Sequence, residues 1–168
     1  MRFWTSSELG STCIKIQANT KGIWNHTSVY WYWKSGLSYF ETPKINLEHL
    51  WIELDSLGIR ELKDQSEATI SYKRANMVYT LSEDQKERVI GGNGLFHQIE
   101  LYTKEKCRVY SYMNALGIFK ILTRPDSQWV APEHMQFAQI VKLIGDTFQM
   151  DGRIKKEYIK QWKEDNKR

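Results

Sequence analysis

Six side chains could act as soft metal ligands or as a nucleophile and its base: His26, His49, His97, His134, Cys13 and Cys107. None stand at the Cys-x-x-Cys or His-x-x-x-His spacing that converges two ligands on one ion, so no metal centre is predicted. No G-x-S-x-G elbow occurs. A nucleophilic set can still assemble in space from distant residues, and His97, Tyr110 and Glu100 are the side chains such an enzyme would draw on. Cys107 is expected mid-strand on an apolar face, where a thiol packs rather than reacts. Gly91-Gly92-Asn93-Gly94 follows the apolar Val89-Ile90, but a phosphate loop also needs Lys-Ser/Thr opening a helix. Here Leu95-Phe96-His97 follows and reads as a strand. Glu48/Glu53 and Glu53/Asp55 miss the four-residue spacing that aligns carboxylates on a helix, and they read as a solvated face. The chain is therefore expected to bind rather than to turn over a substrate, with no cofactor.

Binding chemistry is better represented. Seven Trp and nine Tyr are many for 168 residues, and aromatics anchor interfaces as well as cores. In the stretch His26–Lys34, Val29, Trp31 and Trp33 alternate with Tyr30, Tyr32 and Lys34. A central strand covered on both sides accounts for this. A sharper reading leaves Tyr30, Tyr32 and Lys34 exposed as a contact face. The net charge of +4 is concentrated at one end. Residues 152–168 hold seven Lys/Arg against three acids, and the rest carries 17 of each sign. Lys155, Lys156, Lys160 and Lys163 flank an Ile154/Tyr158/Trp162 stripe, which gives a basic amphipathic helix able to neutralise phosphates while aromatic strands stack bases.

The elements that must position these groups are legible by period and punctuation. Arg2–Ser6, Cys13–Gln17, the aromatic stretch and Leu37–Phe40 read as strands. Asn46 caps a predicted helix over Leu47–Leu57 with Leu47, Leu50, Trp51 and Leu54 on its stripe, and Gly58 stops it. Ala68–Tyr72 and Met77–Leu81 read as a hairpin over a four-residue loop, pairing Tyr72 with Met77 and Ile70 with Tyr79. Phe96–Tyr102 and Lys106–Met113 read as a second hairpin over Thr103–Glu105, pairing Leu101 with Cys107 and Ile99 with Val109. Ser82–Arg88 is a short polar helix and Leu116–Leu122 a last strand. Pro132–Phe148 is a helix whose Phe137, Ile140, Val141, Ile144 and Phe148 share one side, with Pro132 suited to the first helical position. A basic C-terminal helix is expected at about 153–163. The sum is one α+β domain over 1–168, with an antiparallel sheet of five to seven strands, a mid-chain helix and two C-terminal helices.

The opening Met1-Arg2-Phe3-Trp4-Thr5-Ser6-Ser7-Glu8 resembles the first strand of some small bacterial immunity proteins, the cognate inhibitors of polymorphic toxin and contact-dependent inhibition systems. That resemblance implies a non-enzymatic antitoxin that occludes a toxin domain in a 1:1 complex, with aromatic anchors and steering charges. The candidate toxin-binding residues are Tyr30, Tyr32 and Lys34, with Glu53, Asp55, Glu61 and Asp64 from the densest acidic run. The alternative is nucleic-acid binding through the C-terminal lysines. With no export signal and no apolar run of about 18 residues, a cytoplasmic location is expected.

Overall fold

The structure is a computed structural model, and it describes residues 1–7, 10–32, 36–39, 44–90, 95–103, 106–150 and 163. In chain order the elements are β1 (Arg2–Ser7), β2 (Gly10–Ala18), β3 (Trp24–Tyr32), β4 (Gly36–Tyr39), α1 (Leu47–Ser56), a 3-10 turn (Gln65–Glu67), β5 (Ser71–Arg74), β6 (Met77–Thr80), α2 (Glu83–Ile90), β7 (Phe96–Tyr102), β8 (Cys107–Met113), α3 (Ala115–Leu122), β9 (Trp129–Val130) and α4 (Pro132–Thr147). The fold is α+β. Its main sheet has six strands in the order β4-β3-β2-β1-β7-β8, and a second sheet runs β6-β5-β9. Every pairing is antiparallel.

One face of the main sheet carries the core. Register aligns Tyr110, Ile99, Phe3, Ile14 and Ser28 in one row, and Tyr112, His97, Thr5, Thr12 and Tyr30 in the next. All ten are buried. α4 lays Phe137, Ala138, Ile140, Val141 and Ile144 on this face, and α1 adds Leu47, Leu50 and Leu54. Burying each large side chain contributes roughly 1.5–3 kcal/mol, so α4 is held by packing that an isolated helix of its length lacks. A satellite cluster of Ile70, Ile90, Ile118 and Ala131 sits beneath the small sheet, with Leu81, Leu122 and Trp129 packed on it.

The helix ends follow their local chemistry. Asn46 Oδ1 accepts the His49 N–H at 3.0 Å, capping α1 as its residue type predicts. At the other end Gly58 adopts φ 73°, and Ile59 N–H reaches back to Leu54 O at 3.1 Å. This left-handed stop favours glycine. Gln136 of α4 donates to the Leu57 carbonyl at 2.9 Å, tying α1's end to α4.

Three expectations are corrected. Residues 115–122 form a helix, not a strand. Leaving β8, the chain turns through Asn114 at φ 54°, and Ala115 and Ile118 are buried on one side of a helix lying along α4. A short apolar run does not distinguish the two states by itself. The β5–β6 hairpin closes on two residues, with Ala75 at φ 53°, so Tyr72 faces Tyr79 and Arg74 faces Met77. The β7–β8 hairpin pairs Tyr102 with Cys107 and Ile99 with Tyr110. That one-residue shift flips β8: Tyr110 and Tyr112 point into the core, and Cys107 is exposed. The basic helix expected at 153–163 falls outside the described residues except for Lys163, which is helical and exposed.

Candidate interaction surface

The second face of the main sheet is built from the alternate residues of the same strands. Register aligns Tyr39, Val29, Cys13, Trp4, Gln98 and Ser111, and beside them Leu37, Trp31, Ser11, Ser6, Phe96 and Met113. The helices bury their stripes in the core face or in the satellite cluster, so none of the described helices is left to cover this one. Tyr39 is 73% exposed, Leu37 57% and Trp31 48%. Cys13, in the middle, is buried, and that burial pushes its thiol up to about 11, well away from the range in which thiolates react.

Around the end of the sheet lies a groove of about 360 Å³, lined by Arg2, Lys15, Gln17, Trp24, Trp51 and Tyr102 among others. Trp51 of α1 leans on Trp24 with ring centroids 5.6 Å apart, and the Arg60 guanidinium lies 5.5 Å from the Trp51 centroid on a cation–π contact. Arg2 sits over the Tyr102 ring and donates to its hydroxyl at 3.1 Å, and that hydroxyl donates to Glu100 at 2.5 Å. Lys15 makes no ion pair among the described residues and is exposed. The groove is cationic with aromatic walls.

Among the described residues the core face offers no comparable site. His97 is buried with Nδ1 unpartnered, as are the hydroxyls of Thr5, Thr12 and Ser28. Burial pushes the His97 imidazole down to about 4, against a smaller upward pull from the Leu95 backbone. His134 is also fully buried and lowered to about 4, first by burial, with Lys86 adding to the effect and Glu133 opposing it. The cavity beside Thr5 and His97 measures about 30 Å³, room for a water but not for a metabolite.

The sequence-predicted residues scatter. Tyr30 is buried on the core face, so the predicted exposed face of β3 is the wrong one; Trp31, which alternates with it, is the exposed partner. Tyr32 continues β3 opposite Gly10, and Lys34 lies outside the described residues. Glu53 sits on α1 with His49 Nδ1 3.7 Å away. Asp55 is held by Arg60 at 2.6 Å, and Glu61 is exposed nearby. Asp64 is no free contact residue. One oxygen accepts the Ser66 N–H at 3.1 Å to cap the 3-10 turn, and the other accepts the Ser111 N–H of β8 at 3.0 Å. Lys155, Lys156 and Lys160 are outside the described residues. His97 and Tyr110 point to the core while Glu100 lies on the opposite face, so that trio does not converge.

Sequence reasoning passed over Trp31, Leu37 and Tyr39 as a group, and also the Arg2/Lys15/Trp24/Trp51 groove. A signal for the first was present: in β2, Ile14 and Ile16 alternate with Lys15 and Gln17, which fixes the inner parity. Carrying that parity to β3 needs the interstrand register, which the sequence does not display.

Among the described residues no group of three or more His, Cys, Asp or Glu could hold a metal ion, and no helix is long and apolar enough to cross a membrane. No family model matches the chain, and neither the curated proteins nor the solved structures give a match.

Proposed function

We propose that this chain is a binding protein of the immunity or antitoxin type, which covers a cognate toxin domain in the cytoplasm and catalyses nothing. The observation that carries the reading is the open outer sheet face, where Trp31, Leu37 and Tyr39 present large apolar side chains to solvent. Aromatic anchors of this kind supply most of the energy of a protein interface when a partner desolvates them. The face lies on paired strands over a packed core, so little ordering entropy is lost on docking. Arg2 and Lys15 at one end of that face give it a charged rim suited to steering. The contact residues of this proposal are thus Trp31, Leu37 and Tyr39, in place of Tyr30.

The test is protection. The reading frame next to this gene is expressed as a toxin, with and without this chain. The expected result is growth arrest relieved at 1:1 stoichiometry, and protection lost with Trp31→Ala/Tyr39→Ala while the purified variant stays folded. Absence of protection, or turnover of a substrate by the purified chain, rejects the reading. A second reading, single-stranded nucleic-acid binding, is favoured by one observation: the Trp24/Trp51 pair beside Arg2 and Lys15. It requires binding that weakens steeply with salt and fails in Trp51→Ala.

A further inference from the structure

β6 is the edge strand of the small sheet, and its residues Met77-Val78-Tyr79-Thr80 are all exposed. The Leu81 N–H donates to the Ile70 carbonyl at 2.9 Å, which fixes the parity of the ladder. In an antiparallel pair the hydrogen-bonded positions alternate, so Tyr72/Tyr79 and Arg74/Met77 exchange bonds with each other. Lys73/Val78 and Ser71/Thr80 do not. The backbone N–H and C=O of Val78 and Thr80 therefore point away from β5, along the open edge. Chains usually blunt such an edge with proline, lysine or a bulge. Residues 77–80 carry no proline, lysine or bulge, and only the four-residue length of the strand limits the edge.

We propose that β6 pairs antiparallel with β6 of a second copy of this chain, about a two-fold axis at Tyr79. This register uses both outward-facing residues: Val78 bonds the partner's Thr80, and Thr80 bonds the partner's Val78. An isologous contact must be self-complementary, and two features of the strand are. The backbone donors and acceptors reciprocate. Tyr79, Tyr72 and Trp129 already form one aromatic row, with the Tyr72 and Trp129 rings edge-to-face at 5.1 Å; pairing extends that row through the partner's Tyr79.

A four-residue edge is below the area of a standard stable interface, so the dimer is expected to be weak and concentration-dependent. Sedimentation of the full chain should show monomer at about 10 µM and a growing dimer fraction towards about 1 mM. Val78→Pro should abolish the dimer and leave the circular dichroism and thermal transition in place, because that N–H makes no bond within the monomer and proline is tolerated on a strand edge. In a Cys107→Ser background, Tyr79→Cys should cross-link into a dimer on mild oxidation, since a non-hydrogen-bonded pair brings the two Cα atoms to about 4.5 Å. Monomer at every concentration overturns the proposal. So does a dimer that survives Val78→Pro, open-ended association instead of a closed pair, or a Tyr79→Cys variant that still dimerises but forms no cross-link.

Discussion

Two of the edge strands, β8 and β6, are managed in opposite ways. Both are antiparallel edge strands with alternate N–H groups facing outward. Along β8 the segment Arg60–Gln65 reaches across and satisfies those of Ser111 and Met113. Ser111 N–H donates to Asp64, Met113 N–H donates to Gln65 Oε1 at 2.7 Å, and the Arg108 guanidinium and Tyr112 hydroxyl donate to the Arg60 and Lys63 carbonyls at 2.9 and 3.0 Å. Along β6 nothing is placed among the described residues. Closure of β8 is done by side-chain acceptors rather than by another strand. An edge left without them, in a molecule that can supply them, is an edge available for pairing.

The closed edge should be the acid-sensitive one. Tyr112 of β8 pairs with His97 of β7 and meets the His134 ring edge-to-face at 5.0 Å. Both imidazoles titrate near 6.5 in the unfolded chain and at about 4 in the folded one. Between those values the unfolded chain binds more protons, so stability is fully present above pH 6.5 and is lost as pH falls towards 4. Each histidine accounts for about 3 kcal/mol over that window. Urea unfolding at pH 7 and pH 4.5 measures the loss. His134→Leu removes an imidazole whose two nitrogens have no partner, and it should roughly halve the pH dependence while changing stability at pH 7 little. A flat profile in the parent protein breaks the link between β8 and the buried histidines.

Asp64→Ala comes next in size. It removes the cap of the 3-10 turn and leaves the Ser111 N–H without its acceptor, together about 2–4 kcal/mol by chemical denaturation. Amide exchange at Ser111 should quicken with it, and exchange at Val78 should not. Tyr112→Phe is smaller. It loses only the hydroxyl bond to Lys63 and keeps the stack on Phe137 at 4.0 Å, so about 1 kcal/mol is expected.

What the sequence makes legible follows from where each signal resides. α4 and the cap of α1 were readable because the 3.6-residue stripe, Pro132 and Asn46 are local. The α+β class followed from the order of such elements. The hairpins were not readable to the residue. Loop length sets strand parity, and a loop of four rather than three residues at Thr103–Lys106 turned Tyr110 and Tyr112 inward and Cys107 outward. Tyr30 is hard to place for a different reason: both faces of β3 are aromatic, so composition cannot say which is inner. Asp64 looked like surface charge because its acceptor role depends on Ser111, which lies far along the chain. The contrast between the edges was invisible too, since an edge is defined by the absence of a neighbour and not by any residue within the strand.

The smallest effect should come from the open edge itself. Val78→Thr keeps a β-branched side chain on an exposed strand, so stability should change by no more than about 0.5 kcal/mol. The informative reading is amide exchange in dilute solution. Val78 and Thr80, whose N–H groups face water, should exchange at nearly the rate of an unfolded chain, while Ser111 and Met113 exchange only when the Arg60–Gln65 segment opens. If Val78 proves as slow as Ser111 in dilute monomer, the two edges are alike and the contrast fails. If Val78 and Thr80 slow together as concentration rises, and Val78→Thr leaves that slowing intact, the backbone of β6 rather than its side chains is what the second copy reads.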